Sequence, residues 1–273
     1  MSVVVRAPAT SANLGPGFDC AAVALELWNE LELSEGDGVS VAGEGAGELP
    51  EDGTNLAVRA FALLADPAGK RFAFRNAIPL ERGLGSSAAA IALGLAAARP
   101  TAAADDLLAA GRSLEGHADN LAAALVGGVT LTVDGAIARV AGTLPFSPVA
   151  VIPPERTSTA RSRDALPATV SHADAAATAG HAALLGAAAA SGDGSLFAAA
   201  LHDRLHEPYR PSALLDAVRA EPPPGSVGAT LSGSGPTVVV WAADATACTE
   251  ALRGRFPEHD VRALTVAAAG ALT

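Results

Sequence analysis

Three stretches of small and hydroxylated residues in this 273-residue chain could each wrap an anion or a small ligand. In Pro79-Leu80-Glu81-Arg82-Gly83-Leu84-Gly85-Ser86-Ser87-Ala88-Ala89, two glycines lead from a strand-like segment into an alanine-rich helix. Glycines let the backbone approach a ligand closely, and the first-turn N–H groups, with the helix dipole behind them, then face it. A di- or triphosphate is the natural guest; the plainer alternative is that Ser86 simply caps the helix. Ala7-Pro8-Ala9-Thr10-Ser11-Ala12-Asn13-Leu14-Gly15-Pro16-Gly17-Phe18-Asp19 joins two strands with glycines, hydroxyls, an amide and a carboxylate, or is an ordinary surface connection. Leu231-Ser232-Gly233-Ser234-Gly235-Pro236-Thr237 lies between two apolar strands, where its glycines alone would justify a hairpin turn. Glu115-Gly116-His117-Ala118-Asp119-Asn120 sets two carboxylates, an imidazole and an amide in front of a helix.

Other chemistries fit these residues less well. Gly83-x-Gly85-x-x-Ala88, with Asp105 downstream, matches a dinucleotide fingerprint, but Glu81-Arg82 stand where that fold needs an apolar strand. Gly85-Ser86-Ser87-Ala88-Ala89 falls short of a nucleophile elbow, which needs glycine at position 89. His202-Asp203-Arg204-Leu205-His206 imitates a zincin helix, with Asp in place of the general-base Glu and no third ligand; the two histidines are expected as solvated helix residues. Lysine occurs once, as Lys70 in a polar turn and followed by Arg71, which excludes a P-loop, a Schiff-base enzyme and a protein kinase.

The elements that must carry these loops can be traced from the pattern. Residues 2–7 read as a first strand ending at Pro8, and Val23, Leu25, Leu27, Leu31 and Leu33 alternate with glutamates as a long strand with one wet face. A short strand around Val39 and Val41, a helix capped by Thr54 or Asn55, and a strand near Phe72–Phe74 follow. Helices are expected near 87–98, 105–114 and from 119, then a hairpin turning on Asp134-Gly135. Gly142–Pro148, with two prolines, marks a boundary between residues 1–146 and 147–273. The second half offers strands at 149–152, 227–231, 236–241 and 260–266, with helices near 172–190, 195–206, 211–220 and 244–255. This is an α+β chain in two lobes.

Composition narrows the partners. An apolar fraction of 50% with 17% charged residues describes a chain able to build a core. A net charge of −11 repels phosphate backbones, so nucleic acid is not the expected partner and an anionic ligand must be held by local positive features. No apolar run has the length of a signal peptide or a membrane span. Cys20 and Cys248 are too few for a disulfide framework, which suits a reducing cytoplasm.

Taken together, the loops resemble the three signature motifs of the GHMP small-molecule kinases. Pro79–Ala89 resembles the phosphate loop, Pro-x-x-x-Gly-Leu-Gly-Ser-Ser-Ala-Ala, at every fixed position. Pro8–Asp19, Glu115–Asn120, Arg163–Pro167, His206-Glu207-Pro208-Tyr209-Arg210 and Leu231–Thr237 resemble the homoserine kinase branch of that superfamily. The resemblance implies an N-terminal GHMP lobe with a left-handed βαβ crossover and a ferredoxin-like C-terminal lobe. It implies ATP-dependent phosphorylation of the side-chain hydroxyl of L-homoserine to O-phospho-L-homoserine, on the route to threonine, and leaves a homodimer open. Pro79, Gly83, Leu84, Gly85, Ser86 and Ser87 would then form the ATP-binding loop, with Ser87 and Glu115 holding Mg²⁺, a hard ion that prefers oxygen ligands. Asn13 and Asp19 would bind homoserine, and Arg163, with Arg161 beside it as the alternative, and Arg210 would meet its carboxylate. Asn120 would orient the attacking hydroxyl, with Ser87 and Glu115 the other groups at the reacting centre, and His117 and Thr159 would support the pocket. The third loop, with Gly233, Ser234 and Gly235, would close over the ligands. Whether any residue acts as a general base is left open.

Overall fold

The computed structural model describes residues 2–157 and 159–273, the side chains of residues 159–161 excepted. The chain opens with β1 (Val3–Asn13), β2 (Gly17–Glu35), β3 (Gly38–Gly43), α1 (Leu56–Ala62) and β4 (Lys70–Asn76). Three helices follow, α2 (Ser86–Ala98), α3 (Ala104–Gly111) and α4 (Asp119–Val126), and then the hairpin of β5 (Val129–Val133) and β6 (Ala136–Ala141). These six strands form one sheet in the order β3-β4-β2-β5-β6, with β1 paired to β2. β3 and β4 run parallel, joined by a crossover through α1. Leu31 and Leu33 of β2 are buried while Glu26 is exposed and Glu30 and Glu32 are half-buried, as the alternation requires.

A second sheet begins at β7 (Ser147–Ile152), which is followed by α5 (Thr159–Asp164), α6 (His172–Ser191), α7 (Gly194–Ala200), a single 3-10 turn at Glu207–Tyr209 and α8 (Ala213–Ala220). Then come β8 (Ser226–Leu231), β9 (Val238–Ala242), α9 (Ala245–Arg255) and β10 (Asp260–Ala263). Its strand order, β10-β7-β9-β8 with every pair antiparallel, is that of a ferredoxin-like sheet. The fold is α+β. One apolar core runs from Leu31 and Ile91 beside the first sheet to Phe197 and Trp241 against the second. The C-terminal residues cross back, with Ala267 donating to Ala24 O and Ala271 to Ala124 O.

Three expectations about elements are corrected. The first strand does not stop at Pro8 but continues to Asn13, across a register shift between Pro8 and Ala9. A proline without an N–H is tolerated there because β2 is the only strand paired with β1 among the described residues. The first loop is therefore two strand ends around a three-residue turn. The helix expected over 195–206 ends at Ala200, because the Asp203 carboxylate accepts from the N–H groups of Leu205, His206 and Glu207 and turns the chain out of the helix. The last strand stops at Ala263, and Val266 bridges instead to Leu25 in the first sheet.

Candidate active site

The three loops meet. Ser232, just past the end of β8, donates to Gly83 O at 2.6 Å and lies 2.9 Å from Ser11 Oγ, whose hydroxyl can donate to it, so one buried hydroxyl ties all three together. Gly233 N donates to Ala12 O, Thr237 N to Arg82 O, and Asn13 Nδ2 to Gly233 O at 3.0 Å. The phosphate-loop glycines are required here by crowding and by backbone shape. A Cβ on Gly83 would lie 2.4 Å from Ser232 O, one on Gly85 1.9 Å from Thr10 Oγ1, and both residues have left-handed φ values of 77° and 67°. Gly85 is the N-cap residue of α2, and no side chain among the described residues caps the helix. Its first-turn N–H groups are therefore left as available donors.

These contacts enclose a cavity of about 340 Å³ lined by Asn13, Asp19, Gly83, Gly85, Ser86, Ser87, Glu115, His117, Asn120, Arg163, Arg210, Gly233 and Ser234. Thus the sequence-predicted residues converge on one space, with four exceptions. Pro79 and Leu84 are buried behind the loop, Gly235 faces a neighbouring cleft, and the Thr159 side chain, like that of Arg161, lies outside the described residues. Asn13 has less freedom than expected, because its amide oxygen accepts from Asp19 N and its nitrogen serves Gly233.

Charge is distributed unevenly. Next to Ser87, Glu115 is pushed up to about 7 by burial and by the Asp119 charge, with the Ser87 hydroxyl and Arg163 pulling it back. Asp119 is pushed up to about 6 by burial and by Asp19, against a 2.7 Å bond from the Asn120 backbone N–H. His117 is held below its ordinary value by burial and by the field of Arg163, and its Nδ1 lies 3.9 Å from Asp119. In the same cavity Arg163 pairs bidentately with Asp19, while Arg210 is 7% exposed and, among the described residues, is bonded to neutral acceptors, Gly233 O and His206 Nδ1, each at 3.2 Å. Both guanidinium groups lie over the Phe18 ring, at 5.5 and 5.2 Å.

Some of this had no signal in the sequence. His206, expected as a solvated helix residue, is fully buried, stacked on Phe18 and bonded through Nε2 to Gly15 O at 2.8 Å. A further cavity of about 290 Å³ opens beside Ser86 and Ser87, walled by Leu49, Pro50, Leu56, Phe74 and Leu80. It is assembled from β4 and the segment before α1, and no motif marks it.

Comparison with known proteins matches this geometry to a family. The model of the GHMP kinases N terminal domain matches residues 55–128. Homoserine kinase of Gloeobacter violaceus is 42% identical in an alignment 272 positions long that covers 91% of this chain and 90% of that one. The chain belongs to the homoserine kinase family. The homoserine kinase of Streptomyces coelicolor is likewise 42% identical, over 93% of this chain and 89% of its own. A crystal structure of homoserine kinase from Cytophaga hutchinsonii superposes with a TM-score of 0.84 at 26% identity, covering 98% and 96% of the two chains. Mevalonate kinase of L. major shares the fold at a TM-score of 0.69 and 17% identity. In this homoserine kinase family member no helix among the described residues is long and apolar enough to cross a membrane.

Proposed function

We propose that the protein transfers the γ-phosphoryl group of ATP to the side-chain hydroxyl of L-homoserine, giving O-phospho-L-homoserine and ADP. One observation carries the reading: a single cavity joins the uncapped first turn of α2 to a guanidinium group that has no carboxylate partner among the described residues. The N–H groups from Gly83 to Ser87 receive the triphosphate, and the apolar cleft beside Ser86 takes the nucleoside. Arg210 and Arg163 meet the amino-acid carboxylate, and Asp19 meets its ammonium.

The donor set at the acidic end fits Mg²⁺. Among the described residues the buried Glu115 Oε2 has no hydrogen-bond partner, the Ser87 hydroxyl lies close to the same carboxyl group, and both residues offer hard oxygen donors. Among the described residues no three His, Cys, Asp or Glu side chains gather as a metal cage. That suits an ion held by one or two protein oxygens and by phosphate. Glu115 and Ser87 would hold it, and when bound it would neutralise charge on the β- and γ-phosphates. Asn120 orients the hydroxyl toward the phosphorus, and the third loop excludes water by sitting across the first two. Phosphoryl transfer depends mostly on such positioning and charge neutralisation.

ADP release measured across L-homoserine, mevalonate, 4-hydroxybutyrate and 3-amino-1-propanol tests this. Homoserine should be the preferred acceptor, because only it meets both Asp19 and Arg210. Preference for an acceptor lacking the ammonium or the carboxylate would overturn the assignment.

A further inference from the structure

Thr10 is fully buried and touches both the phosphate loop and Asn120. Its backbone N–H donates to Leu84 O at 3.1 Å, inside the phosphate loop. Its hydroxyl donates to Asn120 Oδ1 at 2.6 Å. Gly85, the N-cap residue of α2, is so close that an added Cβ would meet Thr10 Oγ1 at 1.9 Å and Asn120 Oδ1 at 3.3 Å. A side chain from β1 thus stands at the point where the helix that receives phosphate and the amide that faces the acceptor come together.

The hydrogen bonds also fix which way the amide points. Thr10 gives its proton to the Oδ1 side, and the Asp119 carboxylate accepts on the Nδ2 side, with Oδ1 of Asp119 3.5 Å from Nδ2. A half-turn of the amide would set Oδ1 against that carboxylate. Oδ1 keeps a second lone pair, which a substrate O–H can use. We infer that Thr10 is a positioning residue for the transfer: it holds the Asn120 amide at a fixed distance and orientation from the first turn of α2, so that alcohol and triphosphate meet in register. This rests on the reading of Asn120 as the group that orients the hydroxyl. A misplacement of about 1 Å in such an arrangement costs on the order of 100-fold in rate.

The decisive variants are Thr10→Val, which keeps the shape and removes the proton, and Thr10→Ser, which keeps the proton. Thr10→Val should lower kcat about 30- to 100-fold, with ATP affinity and KM for ATP nearly unchanged. Its ratio of phosphohomoserine formed to free phosphate released should also fall, as water takes the place of a badly aligned alcohol. Thr10→Ser should restore both kcat and that ratio. Because Thr10 acts through Asn120, the double variant T10V/N120A should be no slower than N120A alone, within about twofold. Thr10→Ala, which also lacks the hydroxyl, must show the same fall if Thr10→Val does not fold. Three results would each overturn the inference: wild-type kcat in Thr10→Val or Thr10→Ala, an equal defect in Thr10→Ser, or a full additional penalty on top of N120A. If the wild-type protein prefers another alcohol, the homoserine reading fails while the same variants, assayed on that alcohol, still decide Thr10.

Discussion

At one end of the cavity Glu115 and Asp119 are buried beside the first turn of α2, with both carboxyl groups pushed upward by lost hydration and by neighbouring negative charge. At the other end Arg163 and Arg210 both lie over the Phe18 ring, and there burial and the Arg163 charge hold Arg210 below its ordinary value. The two ends are costly in opposite senses, and they are relieved differently. Arg163 already has Asp19, so among the described residues the cationic end lacks one anion, whereas at the acidic end Glu115 Oε2 has no hydrogen-bond partner among them. An amino-acid zwitterion would answer the first shortfall, its carboxylate on Arg210 and its ammonium competing with Arg163 for Asp19. A divalent ion carried with phosphate would answer the second. Unpaired buried charges of this kind destabilise a fold, so their presence here is better explained by ligands than by stability.

The sharpest way to break this picture is at the acidic end. Glu115→Gln keeps the shape and removes the charge, and kcat should fall about 10²- to 10³-fold at saturating ATP and Mg²⁺. If the two ends are separate, KM for homoserine stays near the wild-type value. A parallel rise in homoserine KM would show that Glu115 belongs to the substrate end. Next in size, Arg210→Lys should raise KM for homoserine about 10- to 100-fold and leave KM for ATP alone, because a point charge replaces a planar fork in a buried site. Equal effects on both substrates would remove Arg210 from the carboxylate subsite.

The two ends also differ in how readily they could be found from the sequence. The phosphate loop and the Glu115–Asn120 segment are contiguous, and the glycines that crowding demands at 83 and 85 are themselves the motif. The cationic end is built across long separations, with Asp19 on β2, Arg163 on α5 and Arg210 after a 3-10 turn, and it was legible only as resemblance. His206 was misjudged because alternation and helix periodicity ignore what Asp203 does to the chain: three backbone N–H groups bound to one carboxylate end the helix and turn His206 under Phe18. The sheets and most helices were legible from period and turn residues; Asp134 and Gly135, both at positive φ, formed the hairpin turn that their types require. The apolar cleft beside Ser86 could not be read, since Leu49, Leu56 and Phe74 look like ordinary core positions until β4 and α1 bring them together.

A smaller effect separates Asp119 from Glu115 within the acidic end. If homoserine loses its proton without a dedicated carboxylate, Asp119→Asn should keep kcat within about tenfold of wild type; a loss of about a thousandfold with nucleotide binding intact would make Asp119 the base.

The smallest effect needs no substrate at all. Both carboxyl groups titrate higher in the folded protein than in the unfolded chain, so the native state binds more protons between their ordinary values and about 7. Stability contributed by the protonated forms is present below the ordinary carboxyl range and is lost as pH rises through about 6 and about 7. Ligand-free protein should therefore melt at a lower temperature at pH 8 than this pair of groups would allow at pH 5. Glu115→Gln removes the larger part of that penalty. The variant should be more stable than wild type at pH 8, by up to about 3 kcal/mol, or roughly 6–10 °C in melting temperature for a chain of this size. The gain should shrink as pH falls and vanish only at about pH 4, where the carboxyl is neutral in the folded and unfolded chain alike. Thermal melts of the two proteins across that range, without nucleotide or metal, give the comparison. A gain independent of pH would mean that the substitution improved packing rather than relieved a charge. In that case the acidic end would not be short of a cation, and the contrast with the arginine end would lose its physical basis.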